Sequence, residues 1–284
     1  MKNWFNINDK LNDHIELAIQ LLLLMLGVYI FILAENQRLW KIPVLFVGLL
    51  IWFLTRKKTK HPILWIVFFM LLVLDLYVSY FWVANHHFLL IFMVLTVLFY
   101  SYHKRSDVLL KNIQMLLVVV LIASAMQKLM SNQFMDGNFY YYMISRGSMF
   151  SVFINVLPES FDVIKSNSES ITTLYDSNPN NGKNIILKDV FSNLGLISIA
   201  FAWITVAVEF MVAIAILWKP RSTWTHLIFI MMIFTILCAR LETGFIALLA
   251  ICGLFLCSNA KLRSLYIVIV MGCISLVVTK IGYH

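Results

Sequence analysis

Apolar runs long enough to cross a membrane dominate this sequence. A spanning helix needs about 20 mostly apolar residues, and peptide groups in hydrocarbon must find hydrogen bonds within their own segment. The second, fourth, seventh and eighth of these runs are short, and pairs of short runs can be re-entrant, so eight or nine spans are predicted. The nine runs lie at about 16–34, 39–54, 62–84, 87–102, 110–128, 195–218, 223–239, 243–258 and 264–280.

The sequence therefore predicts an all-α, polytopic bundle that forms one transmembrane domain over 1–284. The composition agrees, because 61% of the residues are hydrophobic and only 13% are charged, against roughly half and a quarter in soluble domains. The lipid bilayer is thus the first expected partner. The net charge of +8 belongs to loops on the cytoplasmic side, so no nucleic-acid partner is expected.

The N-terminal residues and the cysteines offer few candidates for function. Residues 1–14 lack the pattern of a cleavable signal peptide, so the first span is expected to remain as an anchor. None of the four cysteines lies in a CxxC pair, and a thiol-exchange role is not expected.

Lysine and arginine in short loops predict the orientation, because cytoplasmic loops carry an excess of both. With nine spans, four basic loops fall on one side, which is then the cytoplasmic side. The N-terminus is predicted to be cytoplasmic and the C-terminus outside. The four loops are TRKKTK at 55–60, HKRSDVLLK at 103–111, KPRSTW at 219–224 and SNAKLR at 258–263.

The longest outer segment follows the fifth span. FYYYM at 139–143 and the apolar run at 149–157 favour a helix lying in the membrane interface, where tyrosine is enriched. The polar tract at 165–184 is rich in turn-forming residues and predicts a water-facing loop. The range 138–194 is therefore expected to be an interfacial helix, or a re-entrant one, followed by an extracytoplasmic loop.

Charged side chains within or near the spans are candidates for function, because they are costly in hydrocarbon. Asp75 and Glu209 lie inside spans, and His226 lies near the inner start of the seventh. The remaining polar candidates cluster at the outer ends of their helices, which predicts a pocket open to the outside with Glu209 at its floor. These residues are Asn85, His86, His87, Lys128, Arg240 and Glu242.

Each candidate has a structural alternative. Lys128 can extend its ammonium group to the interface as an anchor. Glu209 and Asp75 can be paired with Arg240 or Lys128. A lysine that loses its charge in a low-dielectric pocket can act as a general base, whereas direct contact with Glu209 would favour a structural ion pair. No metal site is expected, because adjacent histidines on a helix point about 100° apart.

Three short patterns resemble a known family. They are NHHF at 85–88, QKLMSNQFMDG at 127–137 and VEF at 208–210, followed by His226. This order resembles the membrane domain shared by the vitamin K-dependent gamma-carboxylase and the bacterial horizontally transferred transmembrane (HTTM) proteins. The resemblance covers about 75–250, which is over half of the chain.

The resemblance implies roles for individual residues. Lys128 matches the lysine that acts as base toward reduced vitamin K, so a reduced quinone is the cofactor it implies. Asn85 and His86 match the pair beside that site, and Asp136 and Gly137 match an acid-glycine turn. The tryptophan that the family has in this turn is Phe134 here or is displaced. The carboxylase also has a large lumenal domain with no counterpart in these 284 residues, which does not favour carboxylation of a protein glutamate.

Two functions are carried forward. The first is an enzyme of a bacterial inner membrane that acts at the outer face on a quinol, a lipid or an exported peptide. In it Lys128 is the base, Asn85 and His86 orient the reacting group, and Glu209 tunes or pairs with the lysine. The alternative is a non-enzymatic maturation or assembly factor that binds a secreted peptide or membrane protein through 138–194. A proton-coupled transporter is the least favoured hypothesis, because no repeat or broken pair of spans is evident.

Overall fold

The computed structural model of the chain describes residues 14–33, 62–78, 86–149, 158–177, 182, 184–240 and 242–278. Every regular element within these ranges is a helix. The helices are α1 (His14–Leu33), α2 (Pro62–Val78), α3 (His86–His103), α4 (Ser106–Leu129), α5 (Asn132–Met135), α6 (Asn138–Ser145), α7 (Pro158–Tyr175), α8 (Leu194–Trp218), α9 (Thr223–Arg240), α10 (Thr243–Leu256) and α11 (Ala260–Val278).

The predicted class, an all-α helical membrane bundle, is confirmed. Helices α3, α4, α8, α9 and α11 are long and apolar enough to cross a membrane, and α1, α2 and α10 contain shorter apolar segments. Eight of the nine predicted runs fall on these helices. The run at 39–54 lies outside the described residues. The chain is therefore a multi-pass membrane protein.

The chain divides into two compact units. Unit 1 comprises Met1–Val120, Ala213–Ile233 and Glu242–His284, and unit 2 comprises Leu121–Val212 and Phe234–Leu241.

Helix α10 is the centre of unit 1. All of its residues but one are buried, as expected for a helix that is apolar on every side. It packs against α1, α3 and α11. At 14 residues it is about 21 Å long, so it owes its stability to the helices around it.

A hydrogen-bonded histidine ties α9 to α11 within unit 1. His226 is 2% exposed, its Nε2 lies 2.9 Å from the Pro220 carbonyl and its Nδ1 lies 2.9 Å from the Tyr266 hydroxyl. A carbonyl only accepts, so Nε2 carries the proton and, in the neutral ring, Tyr266 donates to Nδ1. Gly253 makes room for this tyrosine, because a Cβ added there would lie 2.5 Å from the Tyr266 ring.

Unit 2 contains the short helices α5, α6 and α7. The aromatic residues that follow α4 and one face of α8 form a small core, in which Phe134, Tyr140, Ile144, Ala202 and Val206 are buried together. Helix α6 packs against both α5 and α7.

Helix α7 corrects one prediction, because the tract at 165–184 is helical as far as Tyr175. Asn167 explains the difference. It is 2% exposed, its Nδ2 donates to the carbonyls of Ser145 and Lys188, and its Oδ1 accepts from the Lys188 amide. Asparagine favours turns by type, but here the Asn167 side chain anchors the helix to its neighbours.

Replacing Gly253 tests the packing of α10. Gly253→Ala is expected to destabilise the protein by about 1–3 kcal/mol, because the methyl group overlaps the Tyr266 ring. Gly272→Ala is the matched control, since nothing lies within 4 Å of a Cβ at that helical glycine and alanine favours helices. The check is thermal unfolding of both purified variants; a Tm for Gly253→Ala at or above that of Gly272→Ala would contradict the packing.

Candidate functional site

The chain reverses sharply after α4, and this turn places Lys128 and the residues that follow it. Lys128 lies in the last turn of α4. Ser131 caps α5 by accepting from the Phe134 amide. Asp136 ends α5, and its own side chain is exposed. Gly137 then leads into α6 with a left-handed φ of +76°.

Gly137 is required at this point for two reasons. Its positive φ is disfavoured for residues with a side chain. A Cβ there would also lie 2.6 Å from the Ile199 nitrogen and 2.8 Å from the Ser198 carbonyl carbon. The predicted acid-glycine turn is therefore a point of backbone contact with α8.

The central feature of unit 2 is an ion pair between Lys128 and Glu209. The Lys128 ammonium contacts Glu209 Oε1 and donates to Ser124 Oγ at 2.7 Å. The lysine side chain is 24% exposed and the glutamate side chain only 8%. Glu209 Oε2 is buried without a hydrogen-bond partner among the described residues. The structural alternative of a Lys128–Glu209 contact is thus observed, and it leaves one acceptor free.

Both members of the pair lie at one level along α8. Glu209 is 15 residues from the start of α8, which is about 22 Å at the helical rise. Because the two side chains touch, Lys128 lies well below the N-terminal end of α8.

An aromatic cluster lies next to the pair. The ring of Phe134 stacks on Phe139, with centroids 5.6 Å apart, and meets Tyr140 edge-on at 5.3 Å. The Lys128 ammonium lies 6.0 Å from the Phe134 centroid. The Arg240 guanidinium lies 5.5 Å from the centroid of Phe139. Cations over aromatic faces are attracted by the ring quadrupole, so the cluster contacts two of the predicted cationic residues.

Tyr140 fastens α6 to α8 one turn away from the glutamate. Its hydroxyl lies 2.6 Å from Thr205 Oγ1, and Thr205 donates to the Phe201 carbonyl at 2.8 Å. Since Thr205 has one proton and gives it to that carbonyl, Tyr140 is the donor of the first bond. Phe201, Thr205 and Glu209 are spaced by four residues and share one face of α8.

A second hydrogen bond joins α6 to the segment that precedes α8. Tyr141 donates to Asp189 at 2.6 Å. This hydrogen bond, with partial burial, raises the pKa of Tyr141 to about 12. The tyrosine therefore stays protonated throughout the physiological range, and the tie persists there.

Other predicted site residues belong to unit 1. His86 is half-buried, with Tyr29 and Phe245 beside its ring. His87 is fully buried, donates from Nε2 to the Leu72 carbonyl at 2.9 Å and contacts the Tyr29 hydroxyl through Nδ1. Asp75 is 4% exposed in α2. Asn85 lies outside the described residues.

The remaining two predicted site residues, Glu242 and His226, also lie in unit 1. Glu242 precedes α10 at its N-cap position, and His226 makes the two hydrogen bonds to Pro220 and Tyr266 described above. No group of three His, Cys, Asp or Glu within the described ranges is arranged to hold a metal ion. The predicted set is thus divided between the two units.

Several site residues were not singled out from sequence. Ser124, Thr205 and Tyr140 hold the pair or its helices by hydrogen bonds. The four-residue spacing of Phe201, Thr205 and Glu209 was a visible signal for a shared face of α8. The partner of Tyr140 was not visible, because it depends on how the 129–138 turn folds back.

Comparisons with known proteins add no assignment. No family model matches the chain, and no curated protein or solved structure is significantly similar to it. The resemblance to the HTTM proteins remains a prediction based on the residues named above.

A pair of substitutions tests the energetic coupling of Lys128 and Glu209. Lys128→Met alone leaves a buried carboxylate without its counter-ion and is expected to cost about 3 kcal/mol, whereas Lys128→Met with Glu209→Leu recovers most of that loss. Thermal unfolding of the purified proteins gives the comparison. Lys165→Met, which removes an exposed lysine on α7, is expected to change stability by less than about 0.5 kcal/mol. Equal losses in the single and double variants would show that the two residues are not coupled.

Proposed function

We propose that unit 2 carries the proton-transfer site of a membrane enzyme that acts on a lipid-soluble hydroxyl compound, with a reduced quinol as the first candidate. The proposal rests on one observation above all. Glu209 is buried beside a lysine, yet one of its carboxylate oxygens has no hydrogen-bond partner among the described residues.

The free oxygen of Glu209 is the proposed proton acceptor. A buried carboxylate oxygen without a partner is destabilising, so the Glu209 oxygen calls for an explanation. A ligand hydroxyl would satisfy it by donating a hydrogen bond. Transfer of that proton would leave a neutral carboxylic acid on Glu209 and a negative charge on the ligand oxygen.

Lys128 is suited to stabilise that negative charge. An ammonium group has three protons, and those of Lys128 that bond to Ser124 and Glu209 account for two. The third is available to a ligand oxygen. Lys128 already acts as a hydrogen-bond donor to Ser124 and Glu209, so the free oxygen of Glu209 is the proposed proton acceptor. In this assignment Glu209 is the base, whereas the family resemblance implies that role for Lys128.

Aromatic side chains border the ion pair, and this supports an aromatic ligand. Phe134, Phe139 and Tyr140 present ring faces and edges next to the ion pair, and aromatic rings pack against one another in offset or edge-on arrangements. When bound, a reduced quinol would supply an acidic hydroxyl group and two electrons for a later oxidation. Glu209 and Lys128 would hold its reacting oxygen.

The cellular setting is part of the same proposal. The four basic loops favour a cytoplasmic N-terminus and an outer location for the turn after α4. A bacterial inner membrane with the site opening to its outer face is the setting that we infer.

A quinol assay tests the proposal. Membranes containing the protein are supplied with a reduced naphthoquinol, oxygen and bicarbonate, and the products are identified by mass spectrometry. Glu209→Gln is expected to lower product formation by about a hundredfold or more, because it removes the proton acceptor at nearly constant shape. Lys128→Ala is also expected to abolish the product.

The matched control is Glu169→Gln, the same chemical change at an exposed position on α7. All variants are compared at equal amounts of folded protein. Product formation that is the same in Glu209→Gln and Glu169→Gln would reject the carboxylate as the acceptor.

A second function, binding of an exported peptide or membrane protein, is favoured by exposed apolar side chains in the 138–194 segment. Ile186 is 93% exposed and Tyr175 is 71% exposed. Asn167 and Val190, in the same segment, are buried. Removing the whole segment would therefore unfold unit 2, and single surface substitutions are the sharper test.

Ile186→Asp is expected to abolish co-purification of a binding partner while the quinol reaction and the Tm remain unchanged, because it removes an exposed contact only. Co-purified proteins from cells that express each variant are compared by quantitative mass spectrometry. Lys165→Asp provides an exposed control on α7. Loss of the same protein from both variants, or from neither, would count against the segment as a binding surface.

A further inference from the structure

A basic cleft lies in unit 1. Its volume is about 570 Å³, and it is formed where α4 begins and where α8 turns into α9. Lys111, Lys219 and Arg221 line it, together with Asp107, Gln114 and Ser222. The three cations are exposed, so they are available to a ligand.

Gln114 organises the floor of this cleft. It is 5% exposed, and its Nε2 donates to the carbonyls of Ile216 and Leu217 at 2.9 and 3.0 Å. These carbonyls belong to the negative end of α8. Its Oε1 accepts from Lys111 Nζ at 3.2 Å. One side chain therefore covers the negative helix end and positions a cation.

The electrostatic balance of the cleft is positive. Its acidic residue, Asp107, is bonded to Arg105 at 2.9 Å, so its charge is compensated from outside the lining. The Ser222 carbonyl accepts a hydrogen bond from the His226 amide at the start of α9. The N-terminus of a helix adds a partial positive charge. The combination favours a ligand that carries a phosphate group.

Exposed aromatic residues indicate the depth of the cleft in the membrane. Trp218 and Trp224 flank the 219–222 turn and are 79% and 75% exposed, and Tyr102 near the end of α3 is 69% exposed. Tryptophan and tyrosine concentrate at the level of lipid headgroups. The cations between them therefore lie where phospholipid phosphates lie.

We propose that this cleft binds the headgroup of an anionic phospholipid from the leaflet that the basic loops predict to be cytoplasmic. Lys219 and Arg221 contact the phosphate, and Lys111 holds it from the α4 side. Basic pockets between transmembrane helices recognise anionic headgroups in this way. The site is independent of the proposed reaction in unit 2.

The test uses the full chain in nanodiscs of phosphatidylcholine with a minor fraction of phosphatidylglycerol. Lipids retained after release into detergent are counted by native mass spectrometry. The unaltered protein is expected to retain phosphatidylglycerol preferentially. Lys219→Gln with Arg221→Gln is expected to reduce that preference by about 25-fold, at about fivefold for each cation removed.

Lys104→Gln with Lys261→Gln is the matched control. It removes the same charge from loops predicted to lie on the same side, and neither residue lines the cleft. Its preference for phosphatidylglycerol is expected to stay within about twofold of the unaltered protein. Equal losses in the two double variants would overturn the proposal, because a general surface charge would then explain the retention.

Inorganic phosphate distinguishes a lipid headgroup from a free anion. Millimolar phosphate is expected to leave the retained phosphatidylglycerol unchanged. Displacement of the lipid by phosphate would reject the lipid as the occupant and assign the cleft to a free phosphate. The same conclusion would follow if phosphate, in nanodiscs of pure phosphatidylcholine, raised the Tm as much as phosphatidylglycerol does.

Discussion

A peptide group in hydrocarbon must be hydrogen-bonded, and this constraint shapes the whole chain. It requires helices through the apolar runs that the structure describes, and it requires polar side chains within those helices to find hydrogen-bond partners. Gln114 and Glu209 show the two outcomes. All of the hydrogen bonds observed for Gln114 go to groups that need a partner. Glu209 keeps one oxygen unsatisfied among the described residues.

Short helices explain how an unsatisfied carboxylate persists. Helices α5 and α6 fold back against α8, held by the close approach at Gly137 and the hydrogen bond from Tyr140. Packing energy from the aromatic core of unit 2 can offset the cost of a strained or unsatisfied group. The arrangement thus concentrates an acceptor, a cation and flat apolar surfaces within one part of unit 2.

The sequence predicted the helices well because apolar length is a local property. Charge within an apolar run also identified Lys128 and Glu209 as candidates. Their contact was only an alternative, since it depends on which faces of α4 and α8 meet. The residue types around Asn167 favour turns and therefore predict a loop. In the structure, tertiary hydrogen bonds from the Asn167 side chain stabilise a helix instead. Neither the Lys128–Glu209 contact nor the hydrogen bonds of Asn167 can be predicted from the spacing of residues along the chain.

The direction of the hydrogen bonds made by Tyr140 and Thr205 bears on the route by which a proton can leave Glu209. Thr205 gives its proton to the Phe201 carbonyl, which lies toward the N-terminal end of α8 from Thr205, whereas Glu209 lies toward the C-terminal end. Neither of these two hydrogen bonds involves Glu209. Under the proposed function, a proton accepted by Glu209 departs past Lys128, whose side chain is 24% exposed. The lysine would then serve as the outlet of the site as well as its counter-ion.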